Sequence, residues 1–76
     1  MIVPRKKDKL SNSIIEILKK ADEPLETKDV ELILKGETRV KILYRLHDLR
    51  GEGMIRGKAV GSGKGAWIWW RKDAFE

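Results

Sequence analysis

Apolar side chains in the first part of the chain recur with the period of an α-helix. A stripe with intervals of three or four residues predicts a first helix over about 11–21. Proline disfavours the helical conformation in the residue before it, and Pro24 therefore ends this helix. The stripe consists of Leu10, Ile14, Ile17, Leu18 and Ala21.

A second, short helix is predicted after Pro24. Leu25 and Glu26 form a brief extended connection. Thr27 is a favourable N-cap, because its hydroxyl can accept a hydrogen bond from the first helical turn. The apolar face of this helix consists of Val30, Ile33 and Leu34.

A glycine turn separates the second helix from a third. Gly36 can adopt the left-handed conformation that ends a helix, and Glu37 or Thr38 can cap the next helix at once. Gly51 and Gly53 mark the end of the third helix. Its buried stripe consists of Ile42, Leu46 and Leu49.

Beyond Gly53 the apolar period changes from helical to alternating, which predicts two strands. Residues 54–60 form the first strand, 61–65 a flexible turn and 66–71 the return strand. The order of elements is therefore helix, extended segment, helix, helix and β-hairpin. This order indicates a single α+β domain.

Three tryptophans lie in the return strand. Trp67 and Trp69 share one face of it, and we predict that they close the core over the first and third helices. Trp70 belongs to the other face and should be partly exposed, together with Phe75. An exposed tryptophan suggests a protein contact, for which a homodimer is the simplest arrangement.

Positive charge is concentrated in the second half of the chain. The sequence has 17 Lys and Arg against 12 Asp and Glu, which gives a net charge of +5. Residues 38–72 hold nine basic and two acidic side chains, whereas residues 1–36 hold eight and seven. Such clustering is typical of a surface that binds a polyanion. Charge alone fits DNA, RNA or an acidic membrane about equally.

The sequence offers little for catalysis or metal binding. With no cysteine and one histidine, it provides neither a disulfide nor a thiolate or multi-histidine zinc site. His47 and Asp48 diverge by about 100° on a helix, and residues 61–65 lack the spacing of a nucleotide-binding P-loop. We therefore expect no enzymatic activity, no cofactor and no small-molecule substrate.

No secretory or membrane segment is predicted. The apolar run Met1-Ile2-Val3 is too short for a signal-peptide core, and nothing approaches the roughly 18 apolar residues that span a bilayer. The expected location is the cytoplasm.

The order and spacing of these features resemble the winged helix-turn-helix family of nucleic-acid-binding modules, which is common among transcription regulators. The resemblance covers about residues 10–72, between a basic arm over 1–9 and a tail over 73–76. It implies a three-helix bundle with a C-terminal β-hairpin wing. In such domains the third helix enters the major groove, and the wing contacts an adjacent groove or the backbone. The residues that carry the resemblance are Ile14 to Leu18, Pro24, Leu25, Thr27 to Val30, Gly36, Arg39 to Leu46, Leu49, Gly53 to Ile55 and the hairpin after them.

The side of the third helix that faces away from its buried stripe is the predicted DNA surface. A helical projection puts Val40, Lys41, Tyr44, His47 and Asp48 on that side. Lysine and arginine reach guanine edges or phosphate oxygens, and a tyrosine hydroxyl reaches phosphate. The hairpin and the basic arm would add phosphate contacts, although the arm fits a solvated terminus equally well. The candidate DNA-binding residues are Thr38, Arg39, Val40, Lys41, Tyr44, Arg45, Lys28, Lys58, Lys64, Arg5 and Lys6.

The resemblance implies sequence-specific binding of double-stranded DNA by a homodimeric transcription regulator, without a role at a membrane. One alternative is a protein-interaction module in a larger assembly, with Leu32 and Trp70 as contact points. RNA is another alternative ligand. Left-handed Z-form nucleic acid is a further one, because its recognition domains carry residues like Tyr44 and Trp67. The sequence departs from those domains at Val40, where they have an asparagine.

Overall fold

The three apolar stripes form three helices, and the extended segments pair into one antiparallel sheet, so the predicted α+β class is confirmed. The computed structural model describes residues 9–61 and 66–74. The elements are α1 (Lys9–Lys20), β1 (Leu25–Glu26), α2 (Thr27–Ile33), α3 (Arg39–Gly51), β2 (Ile55–Val60) and β3 (Ala66–Arg71). Helix α1 starts two residues before its predicted start, whereas the bounds of β3 are those predicted from the sequence.

Strand β3 is the centre of the sheet, whose strand order is β1-β3-β2. Both neighbours pair with it in antiparallel register, so that Trp69 lies between Leu25 of β1 and Gly57 of β2. The extended connection predicted at Leu25 and Glu26 is therefore a third strand. This pairing ties the start of α2 directly to β3.

The core lies between the helices and one face of the sheet. Trp69 is completely buried at its centre, as predicted. Trp67 packs against the core from a half-buried position, so its predicted place in the core holds only in part. Trp70 is half-buried, as predicted, whereas Phe75 lies outside the described residues. The buried apolar cluster consists of Leu10, Ile14, Leu18, Val30, Ile42, Leu46, Leu49, Ile55 and Trp69.

The start of α2 differs from the prediction. Its N-cap is Glu26, which is still in the extended conformation of β1, and not Thr27. Glu26 forms a capping box with Asp29, whose Oδ2 accepts a hydrogen bond of 3.0 Å from the Glu26 amide. The Thr27 hydroxyl instead accepts a buried hydrogen bond of 3.0 Å from Nε1 of Trp69. The side chain predicted to cap the helix therefore joins α2 to the central strand.

The turn between α2 and α3 has the geometry that the sequence predicts. Gly36 has a φ of +95°, and the Thr38 side chain caps α3 by accepting a hydrogen bond of 3.2 Å from the Lys41 amide. The prediction that Ile33 lies on the buried face of α2 is wrong, because its side chain is exposed. Helix α2 has only seven residues and ends at Ile33, and its buried side chains are Thr27 and Val30.

Candidate nucleic-acid interface

The outward side of α3 carries two large apolar side chains one turn apart. Val40 is 64% exposed and Tyr44 is 67% exposed. Arg39 and Lys41 are also exposed in the first turn of the helix. The predicted outward face of α3 is thus confirmed for Val40, Lys41 and Tyr44, and Asp48, predicted on the same side, is exposed as well. It combines apolar groups with positive charge.

Two adjoining depressions occupy this side of the molecule. The first, which we call the apolar hollow, is lined by Val40, Leu43, Tyr44 and His47. The second, which we call the polar cleft, lies between the start of α2, helix α3 and strand β3. It is lined by Glu26, Thr27, Lys28, Arg39, Leu43, His47, Ala66 and Trp67. Leu43 and His47 line both depressions, so the cations of the cleft border the hollow.

Lys28 and Arg39 are those bordering cations. They belong to different helices, and only the fold brings Lys28 of α2 next to the outward side of α3. Among the lining groups their charge is opposed by Glu26, whose carboxylate already accepts a hydrogen bond from the α2 backbone in the capping box. The cleft therefore offers two cations to an anionic ligand beside an apolar surface.

The helical projection predicted that His47 faces solvent, but its side chain is half-buried. Its ring contacts Trp67 at 4.9 Å and Trp69 at 5.0 Å between centroids, edge to face in both cases. The two indoles are stacked on each other at 5.2 Å with an interplanar angle of 17°. These three side chains form an aromatic cluster that packs β3 against α3. The projection missed it because it describes one helix and not the strand packed on it.

Arg50 links the end of α3 to both long strands. Its Nε donates a hydrogen bond of 3.4 Å to the Gly57 carbonyl of β2. Its guanidinium carbon also lies 5.1 Å from the centroid of a Trp67 ring, within the range of a cation–π contact. Sequence reasoning gave Arg50 no such role, because both contacts depend on the packing of the sheet. They orient the β2–β3 pair relative to α3.

Lys41 forms an exposed ion pair with Glu37, which lies just before α3. Its Nζ lies 3.7 Å from a carboxylate oxygen of Glu37, four residues earlier in the sequence. Such an exposed pair is weak, and a stronger anion can replace the carboxylate. Glu37 therefore lowers the positive charge that Lys41 offers.

The remaining predicted contacts do not all join this surface. Lys58 is exposed on β2 but pairs in register with Ile68, which puts it on the opposite face of the sheet from Trp69. Arg45 is half-buried and takes part in an interaction of its own. Thr38 is exposed and caps α3. The other candidates, Lys64, Arg5 and Lys6, lie outside the described residues.

Neither a membrane-spanning helix nor a metal centre is found within residues 9–61 and 66–74. The longest helix there, α3, has 13 residues, and none is long and apolar enough to cross a bilayer. No three histidine, aspartate or glutamate side chains of these ranges gather where a metal ion could be held.

Comparison with known proteins adds no further information about the site. No protein-family model, no curated protein and no solved structure matches the chain. The function is therefore inferred from the residues of the chain itself, above all from the apolar hollow and the cations at its border.

Proposed function

We propose that the chain is a winged helix-turn-helix domain that binds double-stranded DNA, with α3 in the major groove. One observation carries this proposal: the exposed apolar hollow on α3 is bordered by Lys28 and Arg39. A duplex presents base edges between two rows of phosphates, so its groove offers an uncharged floor with negative walls. The apolar hollow, with the two cations of the adjoining cleft on one side of it, suits the floor and one wall of such a groove.

The dimensions and the order of elements support the same proposal. An α-helix with its side chains is about 10–12 Å across, and the major groove of B-form DNA is about 12 Å wide. Helix α3 follows α2 across the tight turn at Gly36, and the β2–β3 pair comes directly after it. In this proposal β2 and β3 are the wing, and Lys64 contacts a phosphate next to the groove. Arg5 and Lys6 of the arm add phosphate contacts of the same kind.

The salt dependence of binding tests this proposal. Neutralising about 4–6 phosphates should give a slope of about −4 to −5 when the logarithm of the association constant is plotted against that of the salt concentration. Fluorescence anisotropy with a labelled duplex of about 20 base pairs, long enough for two half-sites, measures it between about 50 and 200 mM salt. Absence of binding at low salt, or a slope near zero, would reject the proposal.

Glu37→Gln provides a second test. Removal of a cation should weaken DNA binding, whereas removal of this carboxylate should strengthen it. The substitution removes one negative charge from the proposed interface and frees Lys41, so the affinity for DNA should rise about two- to fivefold at low salt. The matched control is Glu16→Gln, which removes the same charge from the exposed side of α1 and should have little effect. Equal affinities of the two variants would exclude Lys41 from the interface.

A second candidate function is contact with another protein, and it is favoured by the end of α2. Leu32 is 71% exposed and its neighbour Ile33 is 54% exposed, although both are large and apolar. Interfaces between proteins cover such groups. We propose a second copy of this chain as the partner, because paired winged helices bind two-fold related half-sites.

Light scattering of the wild-type chain and of two variants tests this contact. The wild type should have the mass of a dimer, and Leu32→Ser should have that of a monomer. Val40→Ser removes a comparably exposed side chain from α3 and should remain dimeric. A monomeric wild type, both alone and bound to a duplex, would disprove the contact.

A further inference from the structure

The apolar hollow differs in chemistry from a surface that recognises purines. Arginine and lysine recognise guanine through two hydrogen bonds, and asparagine and glutamine recognise adenine in the same way. None of these residue types lines the hollow in the described part of the chain, which has Val40, Leu43, Tyr44 and His47 there. The hollow instead offers methyl groups and ring carbons. Its occupant is therefore an apolar group.

The hollow is also more than a scatter of exposed apolar residues. Single exposed apolar side chains are common on protein surfaces. Val40 and Tyr44, however, lie one helical turn apart and enclose a common space with Leu43, which packs against the core from below. Their side chains thus form one continuous apolar wall on the side of α3 that faces away from the core.

The charges around the hollow restrict what can occupy it. Lys28 and Arg39 line the adjoining polar cleft, so a purely apolar partner broad enough to cover both depressions would remove their cations from water without compensation. An occupant with an apolar group flanked by anions suits both parts of the surface. In the major groove of a duplex one base meets this description, because the C5-methyl group of thymine projects there between the phosphate rows.

We propose that the apolar hollow of α3 receives the C5-methyl group of thymine and that this contact sets the base preference of the domain. The inference rests on the proposed binding of duplex DNA. Val40, at the exposed edge of the hollow in the first turn of α3, contacts the methyl group. Lys28 and Arg39 hold the neighbouring phosphates.

Duplexes that differ only in methyl groups test this inference. The first probe is a duplex of about 20 base pairs of alternating adenine and thymine, and the second carries deoxyuridine in place of every thymine. Base pairing and the hydrogen-bonding edges of the two are the same. The wild-type protein should bind the thymine duplex more tightly, by roughly fourfold for each methyl group that it buries.

Two variants show whether the preference acts through the hollow. Val40→Ala should bind both duplexes with nearly equal affinity, since the contact with the methyl group is lost. Met54→Ala removes an exposed apolar side chain that neither lines the hollow nor belongs to the proposed dimer contact, and it should keep the wild-type preference. Because both residues are exposed, neither variant should unfold the domain, and a thermal melt checks this.

The possible failures are distinguishable. Equal binding of both duplexes by the wild-type protein would overturn the thymine contact and leave duplex binding intact. A preference that persists in Val40→Ala would also overturn it, because the preference would then arise elsewhere. If neither duplex binds at low salt, both the proposed function and this inference are wrong.

Discussion

Replacing Gly57 with alanine is expected to lower the free energy of unfolding by about 2–3 kcal/mol. A Cβ at this position would lie 2.4 Å from Cε3 and 2.6 Å from Cζ3 of the Trp69 indole. Trp69 is completely buried and stacked on Trp67, so its ring cannot move aside without disturbing the core. Because Gly57 does not have a positive φ, space and not backbone conformation requires glycine here.

Chain entropy acts against this loss but is smaller. Alanine restricts the unfolded chain more than glycine does, which stabilises a protein by about 0.4–1 kcal/mol where the native site accepts the new side chain. Gly51→Ala is the matched control, since a Cβ there meets nothing within 4 Å. Urea denaturation should therefore show Gly57→Ala less stable and Gly51→Ala slightly more stable than the wild type. Equal midpoints for the two variants would contradict the close contact with Trp69.

Thr27→Val is expected to destabilise the domain by about 1–3 kcal/mol, although it preserves shape. The Thr27 hydroxyl accepts the hydrogen bond from Nε1 of Trp69, and both side chains are buried. Valine leaves the indole N–H without an acceptor and out of reach of water, and the desolvation of that group is then uncompensated. For a chain whose total stability is of the order of 0.05–0.15 kcal/mol per residue, this is a large part of the whole.

Thr27→Ser separates the hydrogen bond from the packing. Serine keeps the acceptor oxygen and removes one methyl group, so its loss should stay near 0.8 kcal/mol. Urea denaturation monitored by tryptophan fluorescence gives both values, provided that the denaturant slopes agree. A serine variant as unstable as the valine variant would show that the methyl group, and not the hydrogen bond, is what matters at this position.

The fold was predictable wherever it depends on local patterns. The apolar stripes, Pro24, Gly36 and Thr38 mark the three helices to within about two residues, because helix periods, breakers and caps act over one or two turns. The alternation after Gly53 likewise gave both long strands. The pairing of β1 with β3 was not predictable, since a two-residue strand has no period of its own.

The candidate site was predictable only where it depends on the local pattern of one helix. Val40 and Tyr44 follow from the projection of one helix, and both are exposed as expected. His47 belongs to the same side of that projection, but its ring packs against the tryptophans of β3 and is half-buried. Lys28 reaches the site only because α2 packs beside α3. What the sequence could not give are the contacts between elements that are distant along the chain.

The central place of β3 has a consequence for how the domain is made. Residues 9–51, which hold the three described helices, are synthesised before Trp69, so the nascent helices lack the side chain at the centre of their core. Pairing of Leu25 with Trp69 then closes a long loop, and contacts of this kind form slowly. We therefore expect the helices to acquire a stable arrangement only after β3 has docked between β1 and β2.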